Sequence, residues 1–184
     1  MVFHRDIDEA WPPFRIWLSA DAGFRLLRTG IFPSYSSRGD RLVSNDRRAG
    51  SDNSVLVMDA DGSRRRVIFG DPKRSALAPV WSPREDRVAF GFGSFFPRVN
   101  GPAVADIAVM RADGTDLKIL TDGSGNFGFP SWSPDGGRLV YRVADSGRYG
   151  LSIVDVETRA VSVVTTGAFH DNSPSWSPDG DQAV

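Results

Sequence analysis

The side chains best equipped for chemistry in this chain of 184 residues are few and scattered. Histidine occurs only at His4 and His170. His170 stands beside Asp171, but a metal needs three or four ligands and this stretch offers two, so the pair reads as hydrogen-bonded loop structure near a binding surface. Asp59, Asp61, Asp113 and Asp135 could suggest calcium, yet each falls in a turn-forming stretch that favours aspartate anyway. Cysteine is absent, which removes disulfides and thiolate ligands. No serine has glycine two residues away on both sides, so the nucleophile elbow of serine hydrolases is missing. The expectation is a chain with no catalytic residue, no metal and no cofactor. Recognition chemistry remains. Phe95 and Phe96 beside Arg98 and Asn100 have the composition of an interface anchor with a polar rim, the alternative being that the phenylalanines tuck onto the scaffold. Asn126 and Phe127 fall in a similar stretch between periodic segments.

A repeat supplies the elements that must hold these residues. Pro79-Val80-Trp81-Ser82-Pro83, Pro130-Ser131-Trp132-Ser133-Pro134-Asp135-Gly136 and Pro174-Ser175-Trp176-Ser177-Pro178-Asp179-Gly180 are three copies of one signature, and Pro33-Ser34-Tyr35-Ser36 opens a degraded fourth. Starts at 33, 79, 130 and 174 give a period close to that of a four-stranded propeller blade. After each signature comes an apolar, β-rich run (Arg41-Leu42-Val43, Arg87 to Phe90, Arg138 to Val143), then a hairpin whose turn carries Asp-Gly in two copies, at Asp61-Gly62 and Asp113-Gly114. The fold expected is all-β, a β-propeller of four-stranded antiparallel blades that is incomplete, with about three full blades and two partial ones. Residues 1–14 form an N-terminal segment and residues 15–184 the partial propeller.

The signature reads as structural. Proline and glycine in Pro134-Asp135-Gly136 and Pro178-Asp179-Gly180 pre-set a turn between strands one and two. Trp81, Trp132 and Trp176 are expected to fill the wedge between blades, because one large aromatic per blade is what packing demands. Strands two to three and four to one are joined on a single face by loops of uneven length near residues 44–54, 94–105, 124–129 and 167–173. Binding is expected there.

Bulk properties narrow the partner. With 22 basic and 23 acidic residues the net charge is −1, which offers no field for nucleic acid or anionic lipid. The first nine residues include three acidic ones, unlike the n-region and apolar core of a secretory signal, and no run of 18 apolar residues occurs. As written, the chain reads as neither exported nor membrane-spanning, and as a fragment of a longer protein.

The signature copies, Pro-x-Trp-Ser-Pro-Asp-Gly followed by an apolar strand, resemble the WD-like repeat of the TolB family over roughly Arg15 to the C-terminus. The resemblance implies a propeller, commonly six-bladed and extracytoplasmic in bacteria, whose type member binds protein at the cell envelope. Related propellers cap prolyl-oligopeptidase-type peptidases, and others bind carbohydrate or small molecules. The expectation drawn is a non-catalytic scaffold that binds a protein or peptide on its loop face.

Overall fold

The computed structural model describes residues 2–5, 15–20, 23–46, 54–95, 103–145, 148–167 and 171–184. Within them the chain is all-β. β1 (Val2–Arg5), β2 (Arg15–Ala20) and β3 (Gly23–Thr29) make a three-stranded sheet, and β4 (Ile31–Tyr35), β5 (Arg41–Asp46), β6 (Ser54–Asp59) and β7 (Arg66–Phe69) make a four-stranded one. Two more four-stranded units follow. They are β8 (Ser75–Trp81), β9 (Arg87–Gly93), β10 (Ala105–Arg111) and β11 (Lys118–Ile119), then β12 (Asn126–Trp132), β13 (Arg138–Asp145), β14 (Arg148–Asp155) and β15 (Val161–Val163). A single parallel pair, Ala105 with Asn126, stitches these two into one sheet of eight strands. Every ladder inside a blade is antiparallel between consecutive strands. Trp176 and Ala183 then form an isolated bridge that opens one further hairpin. The second strands start at Arg41, Arg87 and Arg138, where the repeat placed them.

Each innermost strand carries a proline, which cannot donate to a ladder. The register shifts between Ile31 and Ser34, between Leu77 and Val80, and between Gly128 and Ser131, so the proline and its predecessor form a bulge. That predecessor has left-handed backbone every time: Phe32 at φ 51°, Ala78 at 50°, Phe129 at 54° and Ser173 at 52°. An L-residue there costs roughly 1–2 kcal/mol. Three copies of one strained bulge on the innermost strands, with the same backbone repeated at Ser173, mean that neighbouring structure holds it in place.

The signature serine closes the hairpin that follows. Ser36, Ser82, Ser133 and Ser177 hydroxyls donate to Asp40, Asp86, Asp135 and Asp179 at 2.8, 3.0, 2.5 and 2.5 Å, and accept from the backbone N–H of Arg41, Arg87, Arg138 and Gln182. Gly39, Gly136 and Gly180 supply the left-handed turn residue. In the second signature Glu85 takes that conformation, at φ 59°, and its carboxylate reaches across to Arg41 Nη2 (3.2 Å) and the Arg38 N–H (2.5 Å) of the preceding blade.

These turns give a pH dependence. The Ser36, Ser133 and Ser177 hydroxyls hold the Asp40, Asp135 and Asp179 carboxyls below the usual carboxylate range; Thr115 and Ser124 do the same for Asp113 and Asp122, and the N–H groups of Lys73 and Thr158 for Asp71 and Asp155. A folded-state pKa lowered from 3.8 adds stability that is present above that value and lost as protons bind below it. Urea midpoints are therefore expected to be flat from pH 8 to 6 and to fall below about pH 5. A midpoint that rises on acidification contradicts this.

The core lies between blades. Val43, Val55 and Val57 of the second sheet pack with Trp81, Val88, Phe90 and Phe92 of the third. Ala89, Ile107 and Val109 of the third pack with Trp132, Leu139 and Tyr141 of the fourth. Trp81 and Trp132 are 6% and 7% exposed, and the Trp132 indole donates to the Val80 carbonyl of the blade before it (3.3 Å). The arginine after each turn adds to the junction: Arg41 lies 4.6 Å from the Trp81 ring centroid and Arg138 4.9 Å from that of Trp176.

Candidate functional site

The fifth residue of each second strand differs among the three copies: Asn45, Gly91, Arg142. Strand alternation puts them on the same side as Val43, Ala89 and Val140. Asn45 is fully buried and closes the bulge of the next blade, its amide donating to the Ala76 carbonyl (3.0 Å) while its oxygen accepts from the Ala78 N–H (3.0 Å). Asn45→Ala orphans both backbone groups. It is expected to cost about 2–4 kcal/mol from the loss of those bonds, read as a urea midpoint shift with unchanged slope; a shift within experimental error contradicts the clamp.

Gly91 leaves space instead. A Cβ there would lie 2.8 Å from the Phe95 ring and 3.2 Å from the Phe127 carbonyl. Phe95 fills that space, joins Leu77, Ala78 and Ala105, and meets the bulge residues Phe32 and Phe129, whose rings touch edge to face at 5.6 Å. Of the two alternatives open for Phe95, an interface anchor or a ring tucked onto the scaffold, its position matches the second: at 8% exposure its ring packs inward, because glycine opposite makes room for it. Phe96, Arg98 and Asn100 lie outside the described residues.

Asn126 and Phe127 are also buried. The Asn126 amide donates to the Phe95 carbonyl (3.0 Å), which pins the end of β9 to the start of β12, and Phe127 meets Tyr141 edge to face at 5.6 Å. Asp171 is partly exposed; its N–H donates to the Tyr149 carbonyl (3.1 Å) and its carboxylate accepts from the Thr165 hydroxyl (2.5 Å). His170 lies outside the described residues. Among the described residues no three His, Asp or Glu side chains are grouped as metal ligands.

Arg142 is the group that residue-by-residue reading passed over. Its guanidinium lies 4.8 Å from the Phe129 ring and 5.5 Å from the Tyr149 ring, and Nη2 points at Asn126 Oδ1 at 3.4 Å. Nε is buried without a hydrogen-bond partner among the described residues, and burial pulls the arginine below its ordinary pKa. Phe95, Asn126, Phe129 and Arg142 thus meet at one junction, Phe95 and Asn126 from opposite ends of the backbone bond between them. The signal available in the sequence was positional: aligning the second strands from Arg41, Arg87 and Arg138 puts Asn, Gly and Arg in one column.

At the opposite, turn end an open groove of about 330 Å³ runs across the innermost strands, lined by Ser34, Val80, Trp81, Ser131, Trp132 and Pro174 among others. It is bordered by signature residues from four consecutive repeats.

A family model described as the TolB β-propeller domain matches residues 29–184. Among curated proteins, none matches the chain by sequence. Among solved structures, a putative TolB from Agrobacterium tumefaciens is similar with a TM-score of 0.70 at 20% identity, over 92% of this chain and 68% of that one. TolB from Acinetobacter baumannii is similar with a TM-score of 0.70 at 18% identity, over 94% of this chain and 42% of that one. An oligogalacturonate lyase in complex with manganese gives 0.65 at 16% identity, over 91% of this chain and 51% of that one. At these identities the likeness is one of fold, and the chain spans between two fifths and about two thirds of these structures' own lengths.

Proposed function

Because the chain belongs to the TolB β-propeller domain family, we propose that it is a non-catalytic scaffold that binds a protein or peptide partner at the loop end of its blades. An extracytoplasmic setting, which the family resemblance implies, goes with this reading. The observation that carries it is the contrast between a constant frame and a variable end. Signature serines and turn aspartates repeat their hydrogen bonds, and Trp81 and Trp132 their packing, from blade to blade. Toward the loop end the corresponding side chains change from amide to none to guanidinium. A rigid scaffold with variable residues at one end is how recognition surfaces are built on shared folds.

Site-specific photo-crosslinking tests the reading. A benzophenone side chain placed at Val104, at the loop end and 36% exposed, is expected to yield a discrete adduct in extract of the native envelope. The same group at Asp113, an exposed residue of a turn at the other end, is expected to yield none. Adducts from Asp113 alone, or from neither position, overturn the proposal.

A further inference from the structure

Four buried polar atoms have no hydrogen-bond partner among the described residues: Ser44 Oγ, the indole nitrogens of Trp81 and Trp176, and Arg142 Nε. The first three are neutral. Arg142 alone carries a charge; it is partly buried and has no counter-ion among the described residues, and a charge so placed is costly. Its one hydrogen bond among the described residues, to the Asn126 amide oxygen, is long at 3.4 Å. The aromatic faces of Phe129 and Tyr149 partly compensate the charge and fix the plane of the fork, but they use none of its N–H donors.

Closure of the blades does not require this arrangement. At the same register Asn45 spends both ends of its amide on the next bulge, while Gly91 has no side chain and yields its place to Phe95. Arg142 makes no bond to the following bulge, and the residue keeps some solvent exposure. It is a preorganised, underused cation beside the loop end of the innermost strands. A planar fork set between rings matches a carboxylate, which it can bind through two N–H groups. Phosphate fits less well, because it brings more charge than a single arginine offsets and the chain's net charge of −1 supplies no supporting field.

We propose that Arg142, framed by Phe129, Tyr149 and Asn126, anchors a carboxylate of the bound peptide, either an acidic side chain or the peptide C-terminus. This rests on the peptide-binding reading above, and the test separates the two. The full ¹⁵N-labelled chain is titrated with acetate, with acetamide, with a short acetylated and amidated Glu-containing peptide and its Gln counterpart, and with a Gln peptide bearing a free C-terminus. The Nε–Hε correlation of Arg142 is expected to move saturably with acetate and with one of the two carboxylate peptides, the peptide binding more tightly. Acetamide and the amidated Gln peptide leave it in place. Which peptide acts tells side chain from C-terminus. Arg142→Gln is expected to weaken the active peptide about tenfold or more, and Arg142→Lys, which keeps the charge and loses the fork, by an intermediate factor.

The titration of the unmodified chain stands even where a variant fails to fold. An Arg142 signal that no carboxylate moves, or equal affinity in a folded Arg142→Gln variant, overturns the anchor even if Val104 forms adducts. Saturable acetate binding that no peptide improves overturns the peptide as the source of the carboxylate.

Discussion

Replacing Trp132 with alanine is expected to destabilise the chain by about 3–5 kcal/mol, the range for emptying a buried tryptophan site. The side chain is 7% exposed and lies between two blades, against Ala89, Ile107 and Val109 of one and Leu139 and Tyr141 of its own. The cavity opens across a junction held by side chains, with Ala105–Asn126 the one ladder pair between those blades among the described residues. Trp132→Phe separates the two contributions. It keeps most of the apolar volume and removes the indole donor to the Val80 carbonyl, so its cost beyond lost volume is about 1 kcal/mol. Trp81→Phe is expected to cost less, because the Trp81 nitrogen is buried without a partner and its loss removes a desolvation penalty. Urea unfolding of the three variants checks the order. Equal losses for both phenylalanine variants contradict the role given to the indole bond.

Gly114→Ala is expected to cost about 2–5 kcal/mol, which combines a left-handed L-residue with overpacking. Gly114 sits at φ 94° in the turn between β10 and β11, and an added Cβ would lie 2.3 Å from the Ile68 carbonyl oxygen on β7 of the preceding blade. Backbone cannot swing aside as a side chain does. Gly39→Ala is the control: φ is 73°, nothing lies within 4 Å of the new Cβ, and only the conformational cost of about 1–2 kcal/mol applies. If both variants melt together, the turn does not lean on β7.

The Asp113-Gly114 pair was legible in the sequence as a turn, but its contact with Ile68 was not, since a turn dipeptide says nothing about what passes beside it. The same division runs through the molecule. Four signatures at blade spacing, second strands opening at Arg41, Arg87 and Arg138, and Asp-Gly hairpins follow from local chemistry repeated in order. The bulge at Phe32, Ala78 and Phe129 was hidden, because none of these residue types asks for positive φ; the demand comes from the proline that follows and the ladder it cannot join. Whether Phe95 anchors a partner or tucks onto the scaffold stayed open in the sequence, because its burial depends on Gly91, four residues earlier, leaving room for a ring. Arg142 escaped notice for a related reason. A column of Asn, Gly and Arg has no shared identity to mark it, although its members occupy one place in the blade.

Labour is divided within the repeat: the signature holds blades together and closes hairpins, and the proposed recognition falls to the variable end. Ser133 joins the Trp132 strand to its turn, with its hydroxyl 2.5 Å from Asp135 Oδ1 and 2.9 Å from the Arg138 N–H it accepts. It stands apart from the ring frame around Arg142. The most direct measurement is the affinity of a folded Ser133→Ala variant for the carboxylate peptide, taken alongside its urea midpoint. A lowered midpoint with the affinity of the unmodified chain is expected. An unchanged midpoint with lost binding would place the chemistry in the signature and contradict this division.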